Sequence, residues 1–149
     1  MPKLSILHVC APPARRLLAW CLFVLTSAHL DANPPTVPPP APLSPAAIAA
    51  TPDGAVLFIA CATTNRVVAF DLGARRIVRT IPVPASPTGL AMSPDGARLF
   101  VTCAAPASTV CIVDPVTGRI VTSLPAGHTA MAPVLSTDGR TLFVCNRFD

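Results

Sequence analysis

The chain has 149 residues, 19 of them proline, with 12% charged residues and a formal net charge of +4 at pH 7. Lys3, Arg15 and Arg16 supply three of its basic groups, so from His29 onward eight arginines are set against seven aspartates. This nearly neutral body excludes the basic surface on which nucleic-acid binding depends, and we expect no nucleic-acid partner.

Residues 1–28 have the pattern of a secretory signal peptide. Basic residues precede nine apolar residues at positions 17–25, and small residues at positions 26–28 suit cleavage. A membrane span needs about 20 apolar residues, so this run predicts no stable span. We expect export to the periplasm, the cell surface or the extracellular space; the alternative is an uncleaved anchor or a buried helix.

Residues 29–45 form a proline-rich linker. Proline fixes φ and removes a backbone donor, so this composition predicts an extended, semi-rigid spacer. We interpret it as a tether to the following domain. The alternative is a proline-rich ligand for a recognition domain.

Residues 46–149 repeat one pattern three times, an Asp-Gly turn followed by an apolar strand. The turn aspartates Asp53, Asp95 and Asp138 are spaced by about 42 residues. A period of this length, built from short strands, is typical of β-propeller blades. We therefore predict an all-β chain with blades of four antiparallel strands. The blades span residues 46–84, 87–126 and, in part, 130–149, which makes about two and a half blades of an incomplete ring.

The apolar strands resemble the Tyr-Val-Thr-Asn tetrapeptide of the YVTN β-propeller repeat. The matching tetrapeptides stand at positions 58–61, 100–103 and 143–146, with Phe in place of Tyr in each and Cys in place of the final Asn in two. Ser-Pro-Asp-Gly at positions 93–96 precedes the second copy, and Thr117 and Gly118 follow it. The resemblance implies an exported propeller. The family is similar to surface-layer proteins, periplasmic binding propellers, lactonase-like propellers and propellers joined to cytochrome c or copper modules.

The three Asp-Gly turns are predicted to be structural, because residues that recur at one blade position are normally needed by the blade. The aspartate bonds its own backbone and the glycine takes a positive φ. The turn residues are Asp53, Gly54, Asp95, Gly96, Asp138 and Gly139.

His128 is the candidate residue for binding a ligand or a metal ion. It lies in the connection between the second and third blades, where the preceding connection has Ala85 and Ser86 and no ionisable group. Such connections surround the mouth of the central channel in propellers, and an imidazole there is able to bind a metal or move a proton. The alternative, which we favour, is an exposed loop histidine.

Four of the six cysteines lie outside the leader, and none has the spacing of a zinc or c-type haem motif. Cys103 and Cys111 flank a short hairpin loop, and export permits a disulfide between them. Buried free thiols are the alternative, which we favour, since spacing alone does not decide whether the two sulfurs meet.

The chain has no nucleophile-elbow, phosphate-loop, dinucleotide or zinc-protease motif. We therefore expect no catalytic residue, no metal centre and no cofactor. The predicted function is a binding or scaffold module with a protein or small-molecule partner at the propeller face. Further blades or another chain are expected to complete the ring. The alternative is the N-terminal part of a redox (cytochrome c- or copper-linked) or lactonase-like enzyme, with catalytic groups beyond Asp149.

Overall fold

Three antiparallel sheets make up the fold of residues 42–148, the part of the chain that this computed structural model describes. The strands are β1 (Pro45–Ala50), β2 (Val56–Cys61), β3 (Arg66–Asp71), β4 (Arg76–Pro82), β5 (Ser86–Met92), β6 (Leu99–Ala104), β7 (Thr109–Val113), β8 (Ile120–Pro125), β9 (Ala130–Leu135) and β10 (Leu142–Asn146). One 3₁₀ turn, Ala62–Thr64, connects β2 to β3.

Each sheet is a meander in which every strand pairs with its sequence neighbour. The spatial orders are β1-β2-β3-β4, β5-β6-β7-β8 and β9-β10. This confirms the predicted all-β fold with blades of four antiparallel strands. The described residues contain two complete blades and two strands of a third, and they do not close into a ring.

The predicted signal peptide at residues 1–28 lies outside the described residues, as does most of the linker at residues 29–45. The first strand of the first blade already begins at Pro45. Among residues 42–148 there is no helix of the length and apolar character that a membrane crossing requires.

The hydrophobic core lies between the first and second blades. Its largest members are Phe58, Val67 and Ile81 from the first blade and Leu99, Val101 and Val113 from the second. Strand β5 packs against β1 and β2, and β9 packs against β5 and β6. Because the second blade is covered on both faces, five of the six residues of β6 are buried, as its continuous apolar sequence indicates.

The same phenylalanine of the repeat is buried in two blades and exposed in the third. Phe58 is 1% exposed and Phe100 is 7% exposed, whereas Phe143 is 61% exposed. The first two are covered by a following blade, and the described residues provide no such cover for Phe143. Ile48, on β1 of the first blade, is exposed to the same degree. Apolar blade faces thus lie open at both ends of the described chain.

Candidate functional site

The three Asp-Gly turns have one hydrogen-bonded geometry. In the second blade the Gly96 N–H donates to Ser93 O at 2.9 Å, and the Ser93 hydroxyl donates to Asp95 Oδ1 at 2.6 Å. The Ala97 N–H donates to the same carboxylate oxygen at 3.0 Å, and the Arg98 N–H donates to Ser93 Oγ at 2.9 Å. Each partner lies within five residues, so the turn is a local structure.

The first and third turns repeat these contacts. The Thr51 hydroxyl donates to Asp53 Oδ1 at 2.5 Å, and the Ser136 hydroxyl donates to Asp138 Oδ1 at 2.6 Å. Each turn glycine has a φ near +70°, at Gly54, Gly96 and Gly139. A left-handed backbone favours glycine over any residue with a Cβ.

The turns also stack from blade to blade. A Cβ added at Gly96 would lie 3.1 Å from Pro52 Cδ of the preceding turn, and one at Gly139 would lie 3.4 Å from Pro94 Cδ. Between the second and third turns the stacking leaves an open groove of about 350 Å³, lined by Asp95, Phe100, Asp138 and their neighbours. Both carboxylates in this groove are hydrogen-bonded within their own turns.

Hydrogen bonds hold the carboxyl pKa of each turn aspartate below its ordinary value. For Asp95 the Ser93 hydroxyl contributes most, followed by the Ala97 N–H. The corresponding groups lower the carboxyl pKa at the other two turns. They are Thr51 with Ala55 for Asp53, and Ser136 with Arg140 for Asp138. A carboxyl group with a lowered pKa stays ionised at neutral pH and has no proton to donate as a general acid.

These pKa shifts predict a loss of stability in acid. Because the folded-state pKa of Asp95 lies below the unfolded value of about 3.9, its contribution is fully present above that value. It is lost as the pH falls through the folded-state pKa. Asp95→Asn keeps an oxygen acceptor but has no titrating group. Between pH 7 and a pH below the folded-state pKa of Asp95, its urea midpoint should therefore fall less than that of the wild type. Identical pH profiles would contradict this role.

His128 lies between the second and third blades, in the connection from β8 to β9. Its Nδ1 and Thr129 Oγ1 share a hydrogen bond of 2.8 Å, and its ring meets Phe148 edge to face with centroids 5.3 Å apart. The Arg147 N–H donates to its carbonyl oxygen at 3.2 Å. Within residues 42–148, no three His, Cys, Asp or Glu side chains come together as a metal site. The role of His128 in binding a ligand or a metal ion stays a prediction.

Ser108, which the sequence did not single out, organises the loops around His128. Its buried hydroxyl donates to Ala105 O at 2.7 Å and accepts the Ala130 N–H at 2.9 Å. Its backbone also bonds Gly127 and Ala126. The β6–β7 loop is thereby fixed to the β8–β9 connection. A serine in a small-residue loop carries no sequence signal of this role, because its partners lie up to 22 residues away.

Cys103 and Cys111, the candidate disulfide pair, lie side by side. Both are fully buried, and their Sγ atoms are 3.9 Å apart without a covalent bond. Cys61 is also buried, and burial raises the pKa of its thiol, whereas Cys145 is exposed. The structure thus brings together the two cysteines that the hairpin spacing singled out.

No protein-family model and no curated protein sequence matches the chain. Solved structures do match it. Hydrazine synthase from Kuenenia stuttgartiensis is 27% identical with a TM-score of 0.68, covering 72% of this chain and 30% of its own. The three sheets of this chain therefore have a fold of the β-propeller type. A 6-phosphogluconolactonase-like protein from Bacteroides uniformis is 20% identical with a TM-score of 0.64, covering 72% of this chain and 34% of its own.

Both neighbours have propeller-type folds, and this chain spans about a third of the length of each. The lactonase-like protein, at 20% identity, shows the shared fold alone. The comparisons therefore place the three sheets among propeller blades, in agreement with the 42-residue period of the sequence.

Proposed function

We propose that this chain is an exported β-propeller segment of the YVTN type that serves as a binding or scaffold module. The observation that carries the proposal is that the turn carboxylates accept hydrogen bonds within their own turns. Asp53, Asp95 and Asp138 each accept hydrogen bonds from their own turn. The recurring polar residues therefore build blades, and function is left to the loops and faces where the blades differ.

The binding face of this module is the channel mouth near His128. The β8–β9 connection that carries His128 is fixed to the β6–β7 loop by Ser108, so the imidazole is presented on a supported loop. A protein or small-molecule partner at this face would find an imidazole, the ring of Phe148 and the guanidinium of Arg147, which lies 5.3 Å from that ring.

The scaffold also requires a blade over Phe143. Phe58 and Phe100 are buried at the same repeat position, so an apolar sheet is the matching cover for Phe143. The first-blade face that contains Ile48 and Ile59 is open and has this character. The cover comes from further blades of the same protein or from a second chain.

The intact mass of the mature protein from its native host separates these two sources. A mass above that of residues 29–149 supports further blades, and Phe143→Asp in that longer protein should then lower the melting temperature. A mass equal to residues 29–149 supports a second chain, and Phe143→Asp should then convert an oligomer to a monomer in light scattering. Val116→Asp, exposed on the β7–β8 turn, is the matched control. A Phe143→Asp variant whose melting temperature and oligomeric state both match those of Val116→Asp would contradict the proposal.

A second candidate is that these blades belong to a larger propeller enzyme of redox or lactonase type. The 27% identity to hydrazine synthase over 72% of this chain favours it. The native protein would then show a haem or copper absorption spectrum, or would hydrolyse 6-phosphogluconolactone faster than buffer. A native protein that lacks both properties supports the scaffold.

A further inference from the structure

Two buried thiols of the second blade lie close enough to react with each other. In the ladder between β6 and β7, Cys103 pairs with Thr109 and Val101 pairs with Cys111. Since residues two apart on a strand share a face, Cys103 and Cys111 are diagonal neighbours on one face of the sheet. Their Sγ atoms are 3.9 Å apart.

We propose that Cys103 and Cys111 form a disulfide that links β6 to β7 when the protein matures in an oxidising compartment. A disulfide bond is about 2.0 Å long, so the two sulfurs must come about 1.9 Å closer when the bond forms. Both side chains already point into the same buried space. The link would close the hairpin around the loop that carries Ser108.

The thiol of Cys111 lies within hydrogen-bonding distance of Cys103 and of a hydroxyl group. Ser123 Oγ lies 3.6 Å from Cys111 Sγ. The hydrogen bond between the two thiols is the main cause that lowers the pKa of Cys111, and the Ser123 and Thr109 hydroxyls lower it further. The same hydrogen bond raises the pKa of Cys103.

The outer strand β8 controls access to this pair. Cys111 pairs with Ser123 of β8, and all six residues of β8 are exposed. An outer strand with few buried contacts opens locally at low cost compared with global unfolding. Oxidation therefore takes place before β8 docks during folding, or when β8 opens.

The reaction is thiol–disulfide exchange, with a low-molecular-weight or protein disulfide as the oxidant. With glutathione disulfide, the thiolate of one of the two cysteines attacks one sulfur, the glutathione S–S bond breaks, and one glutathione thiolate leaves. The other cysteine then loses its proton to solvent and attacks the protein sulfur of the mixed disulfide, which releases the second glutathione. Two protein thiols are oxidised and one glutathione disulfide is reduced to two thiols.

The first blade supplies an internal control. Cys61 occupies the repeat position of Cys103, but its ladder places Val68 where the second blade has Cys111. Cys61 is therefore buried without this diagonal thiol partner. The exposed Cys145 is a second cysteine outside the pair.

A single tryptic peptide reports the disulfide. Arg98 and Arg119 bracket residues 99–119, which contain Cys103, Cys111 and no other cysteine. The full chain is refolded in a mixture of oxidised and reduced glutathione, quenched in acid, alkylated while unfolded and digested. We expect this peptide to be lighter by two hydrogens and its alkylation to be at least about tenfold lower than that of the peptide with Cys145.

Two variants and a second sample complete the test. Cys61→Ser should leave the linked peptide unchanged, whereas Cys111→Ser should leave Cys103 without an intramolecular link. The same digestion of protein alkylated directly at lysis of the native host needs no refolding and should give the same linked peptide. Full alkylation of both cysteines in that sample, or a link from either one to another peptide, would overturn the proposal.

Discussion

Phe58→Ala is expected to lower the free energy of unfolding by about 3–5 kcal/mol, because it removes a fully buried aromatic ring and leaves a cavity. Phe58 is 1% exposed in the core between the first and second blades, where Leu99, Val101 and Val113 belong to the same cluster. The loss should appear as a lower urea midpoint. Since the core joins two blades, the variant should weaken both of them together.

Phe143→Ala is the matched control for this substitution, since it changes the same repeat position at an exposed site. In a chain of residues 29–149, at a protein concentration where light scattering finds the monomer and no other blade covers Phe143, it should alter the free energy of unfolding by less than about 0.5 kcal/mol. Equal losses in the two variants would contradict the packing role assigned to Phe58. If the loss of unfolding free energy in Phe143→Ala instead grows with protein concentration, a second chain covers the face of the third blade that contains Phe143.

Gly89→Ala is expected to destabilise the junction between the second and third blades by about 1–3 kcal/mol, as overpacking does. A Cβ at Gly89 would overlap Pro133 Cδ and would lie 2.9 Å from Thr102 Oγ1 and 3.0 Å from Ala132 N. Two of these contacts belong to β9, whose backbone must move to make room. Amide hydrogen exchange should therefore accelerate in β9 more than in β2, and the urea midpoint should fall.

A short polar chain makes this junction sensitive to such a shift. The Thr88 hydroxyl donates to Ala130 O of β9 at 2.6 Å and lies 3.1 Å from the buried Thr102 hydroxyl.

Gly73→Ala is the control for Gly89→Ala, because a Cβ there would meet only Asp71 Oδ1, at an ordinary 3.4 Å. It should change the midpoint little. If Gly89→Ala leaves the urea midpoint unchanged, β9 makes room for the added methyl group without a loss of stability.

The sequence by itself determined the blades and their turns. The spacing of Asp53, Asp95 and Asp138 predicted the repeat, and the contacts of each turn lie within five residues. Local hydrogen bonds of this kind are readable from a short stretch because no distant residue has to be placed. The continuous apolar run of β6 likewise indicated a strand covered on both faces. The signal peptide at residues 1–28 lies outside the described residues and stays a prediction.

Only the tertiary structure decided which equivalent residues differ in environment. Phe58, Phe100 and Phe143 look alike in sequence, and their burial depends on whether a neighbouring blade covers them. The diagonal approach of Cys103 and Cys111 depends on strand register, which a hairpin spacing leaves open. Ser108 acquires its role because the chain returns 22 residues later to place the Ala130 N–H beside its hydroxyl. These features arise from contacts between strands distant in sequence, and so from the assembled blades.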